Sequence, residues 1–169
     1  MEFYIDSTLK LKEIEKSDLI EDMQKIDVGA ALSETISELK LDFEDHEIKA
    51  ITERIEENLK VNAYDYRCFD ILADEKRIGY VSLADAHSSA PDVGIEIDEE
   101  WRGRGIGYKA LSALMDKIFS EREEVEYFLY RVRYDNEPSI KLIKKLGGVL
   151  VESDDFIDQL IHKYRVYPK

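Results

Sequence analysis

WRGRGIGYKAL, at residues 101–111, places three glycines at alternate positions, Gly103, Gly105 and Gly107, just before an amphipathic segment. Small residues let backbone N–H groups point outward at the start of a helix, where the helix dipole also favours negative charge. Apolar residues then recur at helical spacing from Ile106 to Phe119. The stretch therefore predicts a glycine turn that opens a helix and binds an anion, most simply a diphosphate.

A β-strand is predicted immediately before this turn. Apolar residues alternate over Val93–Asp98, so Ile95 and Ile97 share one face of the strand and Glu96 lies on the other. The local unit is thus a strand, a glycine turn and a helix.

Two common phosphate-binding motifs match this unit poorly. A P-loop requires Lys and then Ser or Thr after its last glycine, whereas Gly107 is followed by Tyr108 and Lys109. The dinucleotide pattern G-x-G-x-x-[GA] is matched by Gly105, Gly107 and Ala110. However, in dinucleotide-binding proteins that pattern follows its strand directly, whereas residues 98–102 intervene here. In addition, only about sixty residues remain after the pattern, too few for the rest of a doubly wound sheet.

The motif RGRGIG, residues 102–107, resembles the [Q/R]-x-x-G-x-[G/A] element of the GNAT superfamily of acyl-CoA-dependent N-acetyltransferases. The preceding GIEIDEEW, residues 94–101, is similar to the fourth strand of that family and its lead-in. A second block, VEYFLYRVRY at residues 125–134, reads as a strand. It is followed by DNEPS, residues 135–139, which resembles the family's N-x-x-[S/A] helix start. Each motif alone is also typical of a tight turn in a generic α/β domain.

The resemblance implies an α/β (α+β) fold with a mixed, mostly antiparallel sheet. In that family the central strands four and five splay apart, and helices flank the sheet. We expect a single GNAT-type domain over residues 1–169, with an N-terminal helical part at about 1–62 and a CoA-binding core at about 63–169. The order of elements along the chain agrees with this expectation.

Local patterns place further elements. One strand is predicted over Phe3–Lys12, and a helix N-cap at Ser17-Asp18. A β-hairpin is predicted from Tyr66–Ala73 and Arg77–Ala84. Two last strands surround a turn at Ser153–Asp155.

Composition limits the classes of partner. The 169 residues include 38 acidic and 24 basic side chains, a net charge of −14, which disfavours duplex nucleic acid or an anionic membrane as partner and favours a cation. No stretch approaches a membrane span, and the N-terminus shows no secretion signal. A single cysteine, Cys68, suits a reducing compartment, so we expect a cytoplasmic protein.

No metal is predicted, because the histidines His46, His87 and His162 lack ligand spacing. The resemblance makes a homodimer a candidate assembly, with Leu160–Tyr167 as a pairing segment.

The resemblance also implies acetyl-CoA as cosubstrate and assigns its contacts. The backbone of Ile95 and Ile97 would pair with pantetheine, the turn would supply N–H groups to the diphosphate, and the Asn136 side chain would hold the pantetheine amide. The full set of expected contacts is Ile95, Ile97, Arg102, Gly103, Arg104, Gly105, Ile106, Gly107, Tyr108, Asn136 and Ser139. Basic residues cluster around both motifs: Arg102, Arg104, Lys109, Arg131, Arg133, Lys141, Lys144 and Lys145.

The catalytic assignment departs from the family in one respect. Glu96 is the candidate general base, because it lies on the strand that the resemblance puts next to the thioester. The family places a tyrosine four residues after the Ser139 position to protonate the leaving thiolate, but that residue here is Ile143. Tyr134 and Ser139 are the nearest alternative donors.

The resulting hypothesis is an N-acetyltransferase that moves an acetyl group from acetyl-CoA to a primary amine of a small cationic molecule or peptide, by direct attack. The alternative is a non-catalytic, regulatory acyl-CoA-binding module of the same fold, which the absence of the usual tyrosine would permit.

Overall fold

The sheet takes its first two strands from the N-terminal segment and the others from residue 67 onward. The computed structural model describes residues 1–62, 65–152 and 160–169. Two units result: Met1–Ile14 with Asp65–Lys169, which holds the sheet, and Glu15–Tyr64, which is helical. The turn predicted at Ser153–Asp155 lies outside the described residues.

The helical unit contains α1 (Lys16–Met23), α2 (Val28–Glu38) and α3 (Asp45–Asn62). Asp27 caps α2, because its carboxylate accepts a hydrogen bond from the Ala30 N–H at 2.9 Å. The N-cap predicted at Ser17-Asp18 is wrong: α1 already begins at Lys16, and the side chain of the preceding Glu15 makes no capping bond.

Within the described residues, the sheet unit has eight strands and two α-helices. The strands are β1 (Glu2–Tyr4), β2 (Leu9–Glu13), β3 (Arg67–Ala73), β4 (Lys76–Ala84), β5 (Asp92–Ile97), β6 (Phe128–Arg133), β7 (Val149–Val151) and β8 (Ile161–Val166). The helices are α4 (Ile106–Glu121) and α5 (Glu137–Lys145). The strand order is β1-β2-β3-β4-β5-β6-β8-β7, and among these described strands only the β5–β6 pair is parallel. The predicted mixed, mostly antiparallel sheet is confirmed.

The single strand predicted over Phe3–Lys12 is in fact the hairpin β1–β2. The Asp6 carboxylate accepts hydrogen bonds from the N–H groups of Thr8 and Leu9, at 2.9 and 3.0 Å, and so closes a turn. The two halves then pair antiparallel, with Phe3 opposite Leu11. For this reason the family's fourth and fifth strands are β5 and β6 here.

The hairpin β3–β4 turns through two residues, Asp74 and Glu75, with φ values of 48° and 66°. Positive φ at both central residues is the geometry that matches the twist of the flanking strands. The predicted hairpin forms, with strand bounds within one residue of those expected.

The core lies where α4 packs on the sheet. Phe69, Phe128, Leu111 and Leu114 are completely buried. The ring of Phe119 meets that of Phe128 edge to face, with 4.8 Å between centroids. The core thus attaches the helix that follows the glycine turn firmly to the strands that carry the site. None of the described helices is long and apolar enough to cross a membrane.

Replacing Phe128 by Ala should lower the free energy of unfolding by about 3–5 kcal/mol, because it leaves a cavity beneath α4. Val149→Ala, at a side chain that is 58% exposed, should change it by less than about 0.5 kcal/mol. Urea denaturation followed by circular dichroism measures both. Equal losses for the two variants would contradict this placement of the core.

Candidate active site

The strands β5 and β6 separate soon after they meet. Within the described residues their register contains one pair, Asp92 opposite Leu129, beside a bond from the Leu129 N–H to the Pro91 carbonyl at 2.9 Å. Beyond this point the strands diverge. The splay expected between the family's strands four and five is therefore present between β5 and β6.

Alternate residues of β5 direct their backbone N–H and C=O groups toward this gap. The Asp98 N–H donates to Ile78 of β4 at 3.0 Å, so even-numbered residues direct their backbone groups toward β4. Ile95 and Ile97 consequently direct theirs toward the gap. The Ile97 carbonyl accepts a hydrogen bond from Arg102 Nε at 2.8 Å, which ties the glycine turn to the end of the strand.

Two glycines of the turn adopt backbone conformations that favour glycine. Gly103 and Gly105 have φ values of 75° and 76°, in the left-handed region that other residues rarely adopt. Gly105 is the N-cap of α4, and no side chain within the described part of the chain caps this helix. The first N–H groups of α4 are therefore left for a ligand, at the positive end of the helix dipole.

A cavity of about 610 Å³ joins the gap to the start of α4. Every expected coenzyme contact except Arg104 lines it. The other lining residues are Glu96, Trp101, Pro138, Lys141, Leu142 and Lys145. Gly107 allows α5 to approach closely, because a Cβ there would lie 3.2 Å from Leu142 Cδ2.

Two lysines of α5 supply positive charge to this cavity. Lys145 Nζ lies 4.5 Å from the centroid of the Tyr108 ring, and Lys141 pairs with Glu137 at 3.4 Å. Both lysines are exposed, so they can reach an anionic ligand. Together with the start of α4 they make this side of the cavity positive.

Other basic residues near the motifs are engaged elsewhere. Arg104 stacks 4.8 Å from the Trp101 ring and donates to the Glu100 carbonyl at 2.9 Å. Lys109 pairs with Asp6 in the β1–β2 turn at 2.7 Å. No motif in the sequence predicts these contacts. Fewer basic side chains therefore face the cavity than the clustering of basic residues near the motifs indicated.

The two arginines of β6 also find partners outside the cavity. Arg131 pairs with Asp92 at 2.9 Å, and Arg133 pairs with Asp135 at 2.8 Å. Burial raises the pKa of Asp92, and the charge of Arg131 opposes that rise.

Asn136 and Ser139 share the start of α5. The Asn136 side-chain oxygen accepts a hydrogen bond from the Ser139 N–H at 3.2 Å, so it caps the helix and leaves its amide NH₂ as the group that can donate to a ligand. Burial raises the pKa of the nearby Tyr130 phenol, and an interaction with the Ser139 side chain opposes that rise. Ser139 itself lines the cavity.

Three other described residues considered from the sequence do not line the cavity. Tyr134, 47% exposed in the turn after β6, is not among the described residues that line the cavity. Ile143 is completely buried and packs in the core. His87 is exposed and contacts Asp65. Among the described residues, no group of three or more His, Cys, Asp or Glu is arranged to hold a metal ion.

Glu96 has a partner that the sequence analysis missed. The Tyr80 hydroxyl, on β4, donates to Glu96 Oε2 at 2.9 Å. Burial first, and then the bond to Glu96, raise the pKa of Tyr80. The alternation of residues in the predicted β3–β4 hairpin predicts the face of the sheet on which Tyr80 lies. It does not predict which residue of β5 lies opposite Tyr80.

Comparison with known proteins agrees with this geometry. The family model described as "Acetyltransferase (GNAT) domain" matches residues 10–149. Among curated proteins, none matches the sequence.

Solved structures share the fold across nearly the whole chain. An acetyl transferase from Salmonella typhimurium that modifies the N-terminal serine of ribosomal protein L7/L12 is 16% identical, with a TM-score of 0.62 and full coverage of both chains. A ribosomal L7/L12 alpha-N-protein acetyltransferase in complex with coenzyme A is 17% identical, with a TM-score of 0.62, and the alignment covers 99% of this chain and 98% of that one.

The ribosomal-protein-S5-alanine acetyltransferase of Vibrio fischeri is 19% identical, with a TM-score of 0.57, and the alignment covers 98% of this chain and 94% of that one. These likenesses show the fold. The family match, which spans most of the chain and both of its motifs, shows that the protein belongs to the GNAT acetyltransferases and is an acyltransferase.

Proposed function

We propose that the protein transfers an acetyl group from acetyl-CoA to a primary amine. One observation carries this proposal: the uncapped start of α4 and the splayed edge of β5 open into the same cavity, with Glu96 in its wall. An anion site, an unpaired strand edge and a carboxylate are the three elements that such a transfer needs.

The residues of the cavity suit coenzyme A. The N–H groups of the turn and of the first turn of α4 would hold the diphosphate, and Lys141 and Lys145 would attract the remaining phosphate charge. Ile95 and Ile97 would pair with pantetheine through their backbone, and Asn136 would donate to one of its amides. When bound, acetyl-CoA supplies an acetyl group activated as a thioester.

Glu96 is the proposed general base. An amine acceptor is an ammonium at neutral pH and must lose a proton before its nitrogen can attack. Glu96 lies on the exposed face of β5, within the cavity wall, and can take this proton directly or through water. The backbone N–H of Ile95 or Ile97 would stabilise the oxygen that becomes negative during attack.

Proton return to the thiolate is proposed to involve Ser139 or water. Ser139 lines the cavity, and its side chain interacts with the buried phenol of Tyr130, a second proton-bearing group. Tyr134 is the weaker candidate because its side chain is in an exposed turn.

The acceptor is proposed to be a cationic small molecule or a peptide. The net charge of −14 attracts cations. One solved neighbour named above modifies the N-terminal serine of a ribosomal protein, and another is a ribosomal-protein-S5-alanine acetyltransferase. A peptide α-amine is therefore the first peptide acceptor to test.

The buried thiol of Cys68 suits a reducing compartment, and we propose cytoplasmic residence on that ground. A homodimer is likewise proposed, and sedimentation measures it.

Gly105→Glu should abolish acetyl-CoA binding, because it places a carboxylate at the anion site and a side chain at a left-handed residue. Ser120→Glu adds the same charge near the far end of α4 and should bind normally. Isothermal calorimetry at millimolar acetyl-CoA compares the two variants. Normal binding by Gly105→Glu would refute this anion site, and no heat from the unaltered protein would refute coenzyme binding altogether.

Glu96→Gln should lower kcat by about 10²–10⁴, with acetyl-CoA affinity unchanged, because it removes the general base and leaves the coenzyme contacts intact. The exposed Glu123→Gln is the matched control and should retain full activity. Thiol release is measured across polyamines, other primary amines and short peptides with free N-termini. Coenzyme binding without turnover on any amine would favour the non-catalytic alternative.

A further inference from the structure

Three polar side chains lie in one row across the sheet. Asp70 of β3 is directly opposite Tyr80 of β4, and Tyr80 is directly opposite Glu96 of β5. Directly opposed residues in neighbouring strands share a face and lie close enough for their side chains to interact. The row therefore leads from the interior of the sheet to the wall of the cavity.

Contacts connect the members of this row. The Tyr80 hydroxyl donates to Glu96 Oε2 at 2.9 Å. The Arg77 guanidinium lies 5.6 Å from the centroid of the Tyr80 ring, within cation–π range, and its Nε donates to Asp70 Oδ1 at 2.7 Å. Asp70 thus holds Arg77, and Arg77 lies against the ring that holds Glu96.

The backbone beneath Glu96 is also constrained. A Cβ at Gly79, the residue before Tyr80, would lie 2.3 Å from the Glu96 carbonyl oxygen. Glycine at this position is what allows β4 and β5 to approach, and their approach brings the Tyr80 hydroxyl within reach of the carboxylate.

A glutamate on an exposed strand face has three rotatable bonds, and ordering it costs free energy. The hydrogen bond from Tyr80 occupies one carboxylate oxygen and leaves Oε1 for a proton from the acceptor. Tyr80 stays protonated, and so remains a donor, because burial raises its pKa and Glu96, Tyr66 and Cys68 act in the same direction.

We propose that Tyr80 is a positioning residue that orients the Glu96 carboxylate toward the amine acceptor. This inference rests on the proposed role of Glu96 as general base. Tyr80 itself exchanges no proton with the acceptor; its hydrogen bond limits the orientations of the carboxylate.

The test is Tyr80→Phe, which removes only the hydroxyl and keeps the ring beside Arg77. We expect kcat to fall about ten- to a hundredfold, in line with a hydrogen bond to a charged group, while calorimetric acetyl-CoA affinity stays the same. The KM for the amine acceptor should stay nearly the same, because Tyr80→Phe changes the orientation of the carboxylate and removes no contact that binds the acceptor. Tyr4→Phe, at a side chain that is 71% exposed, is the matched control and should change none of these quantities.

A double-mutant cycle with Glu96→Gln separates the possible failures. If Tyr80 acts by positioning Glu96, adding Tyr80→Phe to Glu96→Gln should not lower kcat further, because the carboxylate that Tyr80 orients is already absent. If Glu96→Gln impairs turnover and Tyr80→Phe leaves kcat unchanged, the inference fails while the base assignment stands. Additive losses would show that Tyr80 acts independently and would overturn positioning. Full activity of Glu96→Gln would overturn both.

Discussion

The loss of pairing between β5 and β6 is the constraint on which the rest of the site depends. Backbone groups inside a sheet are normally all hydrogen-bonded, because leaving them unpaired and buried is costly. Here the register stops after Asp92 and Leu129, and the exposed edge of β5 faces a cavity. The fold tolerates this gap because antiparallel pairing continues on both outer sides and α4 packs over the strands.

Groups of opposite charge lie on different walls of the cavity at this gap. Positive potential is concentrated at the start of α4 and on Lys141 and Lys145, whereas Glu96 approaches the cavity from β5. A polyanionic donor and a cationic acceptor would therefore be drawn to different walls of the same cavity. The net charge alone, which is spread over the surface, carries no such directional information.

Structure that depends on local sequence is what the residues predict most accurately, and predictions from the sequence are otherwise less accurate. The glycine turn, the helix after it, the strand that carries Glu96 and the β3–β4 hairpin follow from left-handed glycines and from periods of 3.6 and 2 residues. Predictions were wrong where short-range alternatives compete: the Asp6 turn divides the predicted first strand, and α1 begins before its expected cap. Clustering in sequence also placed Arg104 and Lys109 near the coenzyme, whereas one stacks on Trp101 and the other pairs with Asp6.

The sequence by itself determined the family, the glycine turn before α4 and the identity of the carboxylate on β5. These properties lie within short segments whose backbone conformation depends on their own residues. Only the tertiary structure decided that Tyr80 bonds Glu96 and that Ile143 is buried in the core. Those contacts depend on strand register and helix packing, which bring together residues whose separation along the chain carries no information about their distance in space.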